Sequence, residues 1–425
     1  MSTSESALSL RADVEVISLV GFAHGTSHFF HLMLPSLFPW LMRDFGLNFT
    51  QAGSLTSAFF VASGIGQALA GFAVDRFGPQ RVLFSGIGMF ALAAAVLGSA
   101  NSYAMLFAAA VAAGIGNSVF HPADYTVLNR RVSSLRLGYA FSAHGLSGNL
   151  GWAAGPVFMT SIAASVGWRP AAFAAGAVAA GALTLLAVRR GTLSGAADGY
   201  QSGAADSGRP NGAPFAFLSS SAVWMCFFFF LVTVMAFGAL QNFGPAIVQN
   251  VYGVSLRAGA SALTLYLLGG AAGIALGGFI ATKSQQERVI AGALLAAALI
   301  AVVLSTGAIP RWSIGVLFAA MGLCTGLASP SRDLLVRRAA MERFGQQSLG
   351  RVYGFVYSGL DVGLATAPLL FGRLMDRGLF NAVLGGVAAL QGLAILAALK
   401  VGQHALKAQL RPEVEAASTL PRPGA

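Results

Sequence analysis

Three histidines share one stripe of the first long apolar segment. His24, His28 and His31 are separated by four and three residues, so at about 100° per residue they fall within about a 60° arc of a helix. Because imidazole changes charge near physiological pH, a stripe that faces a cavity could respond to protons. Histidines at i, i+4 could instead share a metal ion, or the stripe could stay neutral and hydrogen-bond to neighbouring helices. No cysteine or further ligand spacing completes a set, so the sequence predicts no metal site.

A second polar stripe lies in the fourth apolar segment. Asn117, His121 and Asp124 repeat the same spacing, and the last two are close enough on one helix face to share a hydrogen bond. Asp124 is either a proton carrier or a gate residue, since it stands less than two turns from a pair of arginines that ends the segment. His144 in the fifth segment could join this network or pack as a neutral buried histidine.

The second half of the chain offers one intramembrane cation. Arg332 lies in the tenth apolar segment, where the internal repeat described below places it opposite Asp124. A guanidinium in a dry site binds carboxylate or phosphonate groups through paired hydrogen bonds. The alternative is an internal ion pair with Asp333 or Asp361, because an unpaired charge is costly inside a membrane.

Further polar residues accompany this cation. Tyr353, Tyr357 and Asp361 form a stripe at i, i+4 and i+8 that could face the tenth segment, and Gln241 and Asn242 lie in the seventh segment. Either substrate contacts or hydrogen bonds between helices would account for such groups.

The elements that carry these residues are membrane helices. The chain has 425 residues, is 56% hydrophobic and 10% charged, and has a mean hydropathy of +0.71. Soluble domains carry about a quarter charged residues, whereas apolar runs of roughly 20 residues suit membrane helices. The sequence predicts an all-α membrane protein with twelve spans, at roughly 15–41, 50–75, 80–98, 103–129, 137–165, 170–188, 219–249, 257–282, 288–308, 312–336, 349–372 and 380–400.

The charge distribution indicates topology rather than nucleic-acid binding. The formal net charge is +11, and the ends and loops on the side of the N-terminus hold roughly three times as many Lys and Arg as those on the other side. Both termini are therefore predicted to be cytoplasmic, in a bacterial-type inner membrane. The predicted partners are a small-molecule substrate and the lipid bilayer, without nucleic acid, and the predicted oligomeric state is a monomer.

Two similar halves are joined by a flexible segment. We expect an N-terminal six-helix bundle at 1–190, a Gly-, Ala- and Ser-rich linker at 191–217, a C-terminal six-helix bundle at 218–404 and a cytoplasmic tail at 405–425. Gly66 matches Gly273 and Arg81 matches Arg288, at an offset of about 207 residues, and parallel repeats of this kind occur in transporters.

The turn between the second and third spans carries a dense charged motif, the gating loop (residues 71–81). Gly71, Asp75, Arg76, Gly78 and Arg81 fit the pattern G-x-x-x-D-R-x-G-x-x-R, which resembles the signature loop of the major facilitator superfamily.

The fifth span carries a second such motif. Gly151, Gly155 and Pro156 are similar to the antiporter signature of that superfamily, although Met159 and Thr160 replace the glycine pair expected after the proline. Within the superfamily, the segments 120–122 and 357–361 resemble the fosmidomycin-resistance-type exporters.

This resemblance implies a fold and a mechanism. Two six-helix bundles related by pseudo-two-fold symmetry would alternate access to a cavity lined by spans one, four, seven and ten. Asp75 would meet Arg351, at the start of span eleven, when the cytoplasmic side is closed. Gly71 would let helices pack closely, and Gly78 would permit the turn.

The chain lacks the phosphate-binding loop and the hydrolase motifs that enzymes and ATP-driven pumps carry. We therefore expect a non-enzyme without a cofactor, driven by a proton gradient, that exports a small drug-like or anionic metabolite. The alternatives are proton-coupled uptake of an organic acid or siderophore-like compound, and a membrane sensor or scaffold with a transporter fold.

Overall fold

The regular structure of the described residues is entirely helical. The computed structural model describes residues 3–133, 136–193, 216–281, 286–344 and 349–418. A short 3₁₀ turn, Ala216–Ser219, precedes the second half. The α-helices are α1 (Thr3–His31), α2 (Met33–Phe45), α3 (Phe49–Phe77), α4 (Pro79–Gly98), α5 (Tyr103–Asn117), α6 (Phe120–Arg131), α7 (Leu137–Val166), α8 (Trp168–Val188), α9 (Arg190–Leu193), α10 (Ser221–Tyr252), α11 (Leu256–Ala281), α12 (Gln286–Ser305), α13 (Ser313–Phe344), α14 (Leu349–Asp376) and α15 (Phe380–Ser418).

These helices follow the predicted order of spans. Within the described ranges, nine rods are long and apolar enough to cross a membrane, counting α5 and α6 as one rod. The α1–α2 rod, α3 and α7 are not among these nine. Large apolar side chains such as Leu299 and Leu396 are exposed on the outside of the rods, as contact with lipid requires. The predicted class, an all-α membrane protein, is confirmed.

Two rods are broken, and each break lies four residues before a proline. α1 ends at His31, and Pro35 lacks the N–H that would bond to the His31 carbonyl. α5 ends at Asn117 and α6 begins at Phe120, where Pro122 likewise leaves the Ser118 carbonyl without its helical donor. The two breaks lie beside the two polar stripes, so they locally change the direction of the helices that carry them.

Glycines bring α1 and α7 into close contact. A Cβ atom on Gly151 would lie 2.0 Å from the backbone oxygen of Gly25, and one on Gly155 would lie 3.0 Å from Cβ of Leu32. Small residues at such crossings allow the backbones of membrane helices to touch. This contact positions the histidine stripe of α1 directly against α7.

The two halves meet at the end of the molecule where α3 begins. The carboxylate of Asp376, at the end of α14, accepts hydrogen bonds from the backbone N–H groups of Phe49 and Thr50 and from the Thr50 hydroxyl. Nearby, a Cβ on Gly53 would lie 2.7 Å from the backbone oxygen of Pro368 in α14. We call these contacts between the start of α3 and the end of α14 the terminal clamp.

Two further contacts join the halves. The Thr264 hydroxyl of α11 donates to the backbone oxygen of Ala153 in α7, at 3.0 Å, and the rings of Phe38 in α2 and Phe243 in α10 lie 6.1 Å apart. At the opposite end of α3, a Cβ on Gly71 would have no neighbour within 4 Å. Among the described residues, the contacts of α3 with α14 extend from the terminal clamp to Gly64, which lies beside Asp361.

Candidate functional site

A carboxylate and two imidazoles from three helices meet inside the N-terminal half. Oδ2 of Asp124 (α6) lies 3.0 Å from Nε2 of His144 (α7) and 3.4 Å from Nδ1 of His24 (α1). The His24 and His144 rings are stacked, with centroids 3.5 Å apart. The three side chains are 0–3% exposed. We call these residues, together with His28, His31, Asn117 and His121, the polar cluster.

A second arm of the polar cluster fixes the hydrogen position on one imidazole. The indole N–H of Trp152 donates to Nδ1 of His31 at 3.1 Å, so Nδ1 is the acceptor. The other ring nitrogen, Nε2, therefore carries the hydrogen and donates to Oδ1 of Asn117 at 2.8 Å. Asn117 also accepts from Ser27 and donates to Ser63. In this arrangement His31 is neutral, because a proton on Nδ1 would displace the indole N–H.

His28 and His121 complete the polar cluster. The His28 ring lies 4.3 Å from that of His24 and 4.2 Å from that of Trp152, and its Nδ1 has no hydrogen-bond partner. Nδ1 of His121 lies 3.0 Å from Oε1 of Gln67 in α3. The predicted hydrogen bond between His121 and Asp124 is therefore wrong. His121 instead pairs with Gln67, and the Asp124 carboxylate pairs with His144 of α7.

The position of Asp124 bears on its two predicted roles. Its side chain is fully buried among imidazoles, and its Oδ1 has no hydrogen-bond partner. The arginines that end α6, Arg130 and Arg131, are not its partners; Arg131 donates to the backbone oxygen of Thr192. Asp124 is thus buried among imidazoles rather than exposed at the surface, and its two predicted roles stay predictions.

Space for the imidazoles is provided by a glycine of α7. A Cβ on Gly148 would lie 2.6 Å from the His28 ring and 3.0 Å from Nε2 of His24, so any larger residue would displace them. Two overlapping groups, His24–Asp124–His144 and His24–His28–His121, have their ligand-type atoms within 4.8 Å of one another. That separation is close enough for a shared ion.

Trp152 connects the polar cluster to the other half. Besides its contacts with His28 and His31, its ring lies 5.0 Å from that of Phe237 in α10. A change in the hydrogen bond between Trp152 and His31 can therefore alter a contact with the C-terminal half, because the same Trp152 ring touches Phe237.

Two predicted residues of α10 are buried with unsatisfied polar atoms. Neither amide atom of Gln241 has a hydrogen-bond partner, and Asn242 donates to the backbone oxygen of Gly238 while its Oδ1 has none. Asn242 and Ser36 of α2 line a small cavity between the halves, at the end that carries the terminal clamp.

The remaining predicted residues of the second half lie around Phe230. The Arg332 guanidinium stands 4.5 Å from the centroid of the Phe230 ring, a cation–π contact, and the Tyr357 ring lies 4.7 Å from the same ring. Asp361 packs against Gly64 of α3, at the boundary between the halves. Arg332 and Tyr357 thus share a neighbour, whereas Asp361 faces the N-terminal half.

The gating loop is only partly described. Gly78 has φ +83°, the positive value that the turn between α3 and α4 requires. A Cβ on Gly71 would meet no described atom within 4 Å, and the close helix packing expected at this glycine stays a prediction. Arg76 lies over the Phe77 ring and Arg81 is exposed. The side chains of Asp75 and Arg351 fall outside the described residues, and their contact stays a prediction.

The motif in α7 has a structural role here. Gly151 and Gly155 provide the contact with α1, and the carbonyl of Pro156, within α7, accepts from the Thr160 hydroxyl at 2.6 Å. Sequence analysis did not identify Gln67, Trp152, Ser27 or Ser63 as members of the site. Gln67, Ser27 and Ser63 could have been recognised as polar residues within apolar helices, and Trp152 by its position within the α7 motif.

Comparison with known proteins agrees with this architecture. The family description "Major Facilitator Superfamily" matches residues 18–345. The chain is 23% identical over 364 residues to a fosmidomycin resistance protein of Escherichia coli K12, covering 85% of this chain and 87% of that one. It is 25% identical over 397 residues to the uncharacterized MFS-type transporter YfnC of Bacillus subtilis 168, covering 92% and 94%. It is 23% identical over 373 residues to the probable nitrate/nitrite transporter NarK2 of Mycobacterium tuberculosis H37Rv, covering 85% and 89%.

Solved structures show the same fold. A bacterial homologue of the human lysosomal transporter Spinster, in an inward-facing and unoccupied conformation, superposes with a TM-score of 0.70 at 14% identity, covering 93% of this chain and 97% of that one. The nucleoside transporter NupG superposes with a TM-score of 0.71 at 11% identity, covering 91% and 99%. The family match spans most of the chain and the helices follow the fold of these transporters, so this protein is a member of the Major Facilitator Superfamily.

Proposed function

We propose that this transporter couples the movement of protons to the export of a small anionic compound. The observation that carries the proposal is the polar cluster: three buried and two partly buried imidazoles around one buried carboxylate in the N-terminal half. Ionisable groups inside a membrane are costly and are found at ion pathways and substrate sites. A purely structural role would not need six titratable side chains in one place.

The hydrogen bonds of the polar cluster offer a way for a proton to act on the fold. A proton on Nδ1 of His31 would break the bond from Trp152, whose ring contacts Phe237 of the other half. A proton on Asp124 would change its pairing with His144 and His24. Both events would alter contacts of α7, the helix that also meets α11 of the second half.

Alternating access requires that protons favour one arrangement of the halves. With the predicted topology, α3 begins on the outer side, so the terminal clamp closes the outside in this conformation. A bound proton or substrate shifts such an equilibrium only through different affinities for the two states.

The anionic substrate class is supported by residues and by relatives. Arg332 provides a guanidinium within a predicted span, and such a group binds carboxylate or phosphonate oxygens in pairs. NarK2 is by its name a probable transporter of nitrate and nitrite, which are anions. Export is the direction suggested by the relative named for fosmidomycin resistance. Uptake of an organic acid by the same helices is the second candidate.

Everted inner-membrane vesicles test the proposal. We expect fosmidomycin, or another compound found by growth of a deletion strain on a compound panel, to accumulate inside vesicles whose interior is acidic. Efflux from preloaded vesicles under the same gradient would indicate uptake by the cell. No flux with any compound that alters growth would favour a sensor or scaffold. Labelling of cysteines added at the two termini would check the proposed cytoplasmic location.

A further inference from the structure

We propose that the polar cluster contains a binding site for a transition-metal ion, with His24, Asp124 and His144 as ligands. The three residues come from α1, α6 and α7 and present two ring nitrogens and one carboxylate oxygen. This donor set matches three-residue zinc sites, which combine histidines with a carboxylate and leave a fourth position open. Neither helical stripe contains the set alone, because His144 is supplied by α7.

The distances suit an ion of this kind. Bonds of about 2.0–2.2 Å to nitrogen and oxygen place tetrahedral ligands about 3.4 Å apart. The observed separations from Asp124 Oδ2 are 3.4 Å to His24 Nδ1 and 3.0 Å to His144 Nε2. The stacked rings of His24 and His144 need to open by side-chain rotation so that both lone pairs point at one ion.

Unsatisfied atoms at the same place provide a second, independent observation. Oδ1 of Asp124 and Nδ1 of His24 and His28 are buried without a hydrogen-bond partner. Buried polar atoms are normally paired, since leaving one unpaired costs about 1–3 kcal/mol. A divalent ion would bind His24 Nδ1 directly, and it would offset the charge of Asp124.

The donors also define the class of metal. Imidazole suits Zn²⁺, Ni²⁺ and Co²⁺, whereas Ca²⁺ and Mg²⁺ require sites built from oxygen. His121 or His28, whose ring nitrogens lie within 4.8 Å of those of His24, could supply a further ligand. The two cysteines, Cys226 and Cys324, lie in α10 and α13 of the other half and take no part.

A bound ion would occupy the lone pairs that protons need, since ligand histidines must be neutral and a ligand carboxylate ionised. Zn²⁺ should therefore inhibit gradient-driven flux. This consequence rests on the proposed function, whereas the binding itself does not.

Cobalt spectroscopy on the purified full-length chain tests the site. After removal of metal with EDTA, addition of Co²⁺ should produce visible absorption bands of a four- or five-coordinate ion, and equilibrium dialysis should give one Zn²⁺ per chain. Asp124→Asn and His144→Ala should each lower the affinity more than the roughly 10–100-fold expected for loss of an outer-shell partner. His31→Gln is the matched control, because His31 belongs to the same stripe but to neither ligand group, and it should retain binding.

Absence of Co²⁺ bands and of bound Zn²⁺ in the wild-type chain would overturn the proposal, whatever the variants do. Equal binding by wild type and by folded Asp124→Asn would also overturn it, since the ion would then sit elsewhere. Flux measured in EDTA separates the two proposals. Metal binding together with flux that ignores the proton gradient would reject only the proposed function, and gradient-driven flux without metal binding would reject only the metal site.

Discussion

At the scale of residues, the polar cluster is a set of imidazoles around one buried carboxylate. His31 illustrates how the surroundings determine its state, since the Trp152 N–H occupies one ring nitrogen and Asn117 accepts from the other. The stripe of α1 could be predicted from spacing alone. His144 was predicted as one possible member of the network. The partners Gln67 and Trp152 could not be predicted, because they come from α3 and α7 and sequence does not state which faces of distant helices meet.

Removing the Trp152 N–H should weaken coupling without unfolding the site. Trp152→Phe keeps a ring against His28 and Phe237 but loses one hydrogen bond, worth about 0.5–1.5 kcal/mol. We expect gradient-driven flux to fall roughly two- to tenfold and its pH profile to move toward higher pH, because Nδ1 of His31 becomes free for a proton. Trp224→Phe, which loses a bond to the backbone of Leu218, is the control. An unchanged pH profile would show that the Trp152 bond is structural.

His28, like His24, belongs to the α1 stripe and has no hydrogen-bond partner for its Nδ1. We predict that His28→Ala abolishes gradient-driven flux while the protein still inserts into the membrane, as fractionation and fluorescence gel filtration would show. Wild-type flux of this variant at every pH would assign the stripe a structural role.

At the scale of elements, glycines and prolines set the geometry of the helices that carry the site. The cause of the breaks at Leu32 and at residues 118–119 is visible in the sequence. Pro35 follows His31 by four residues and Pro122 follows Ser118 by four residues, the spacing of a helical hydrogen bond. The contact between α1 and α7 is less visible. Gly151 belongs to a recognisable motif, but no sequence pattern distinguishes its partner, Gly25, from the other glycines of the chain.

Filling the contact between α1 and α7 should destabilise the N-terminal half. Gly151→Val places its Cβ 2.0 Å from the Gly25 oxygen, and overpacking of this kind costs about 1–3 kcal/mol. The matched control is Gly145→Ala in the same helix, where a Cβ meets nothing within 4 Å. Thermal unfolding in detergent should show a lower midpoint for the first variant alone. Equal midpoints would mean that α7 has room to shift.

At the scale of the whole molecule, the two halves touch at one end of α3. The order and class of the helices follow from apolar periodicity, and the family follows from the loop motif. The arrangement of the halves does not, because a transporter must populate more than one arrangement with one sequence.

Loss of the terminal clamp should shift the halves apart at that end. Asp376→Ala removes the acceptor of the hydrogen bonds from Phe49 and Thr50, and one such bond at an exposed position contributes about 0.5–1.5 kcal/mol. Spin labels on the ends of α3 and α14 should report a larger population of long distances. Asp44→Ala serves as control, because Asp44 accepts from Arg43 and Trp168 of its own half. An unchanged distance distribution in Asp376→Ala would show that the clamp does not hold the halves together.

The central claim is that the polar cluster couples protons to transport. It is tested most directly by fosmidomycin uptake into everted vesicles with an acidic interior, compared between wild type and His28→Ala, with and without an ionophore that dissipates the gradient. The account predicts accumulation by wild type that the ionophore abolishes and that the variant lacks. Accumulation that persists without the gradient, or that is equal in the variant, would contradict it.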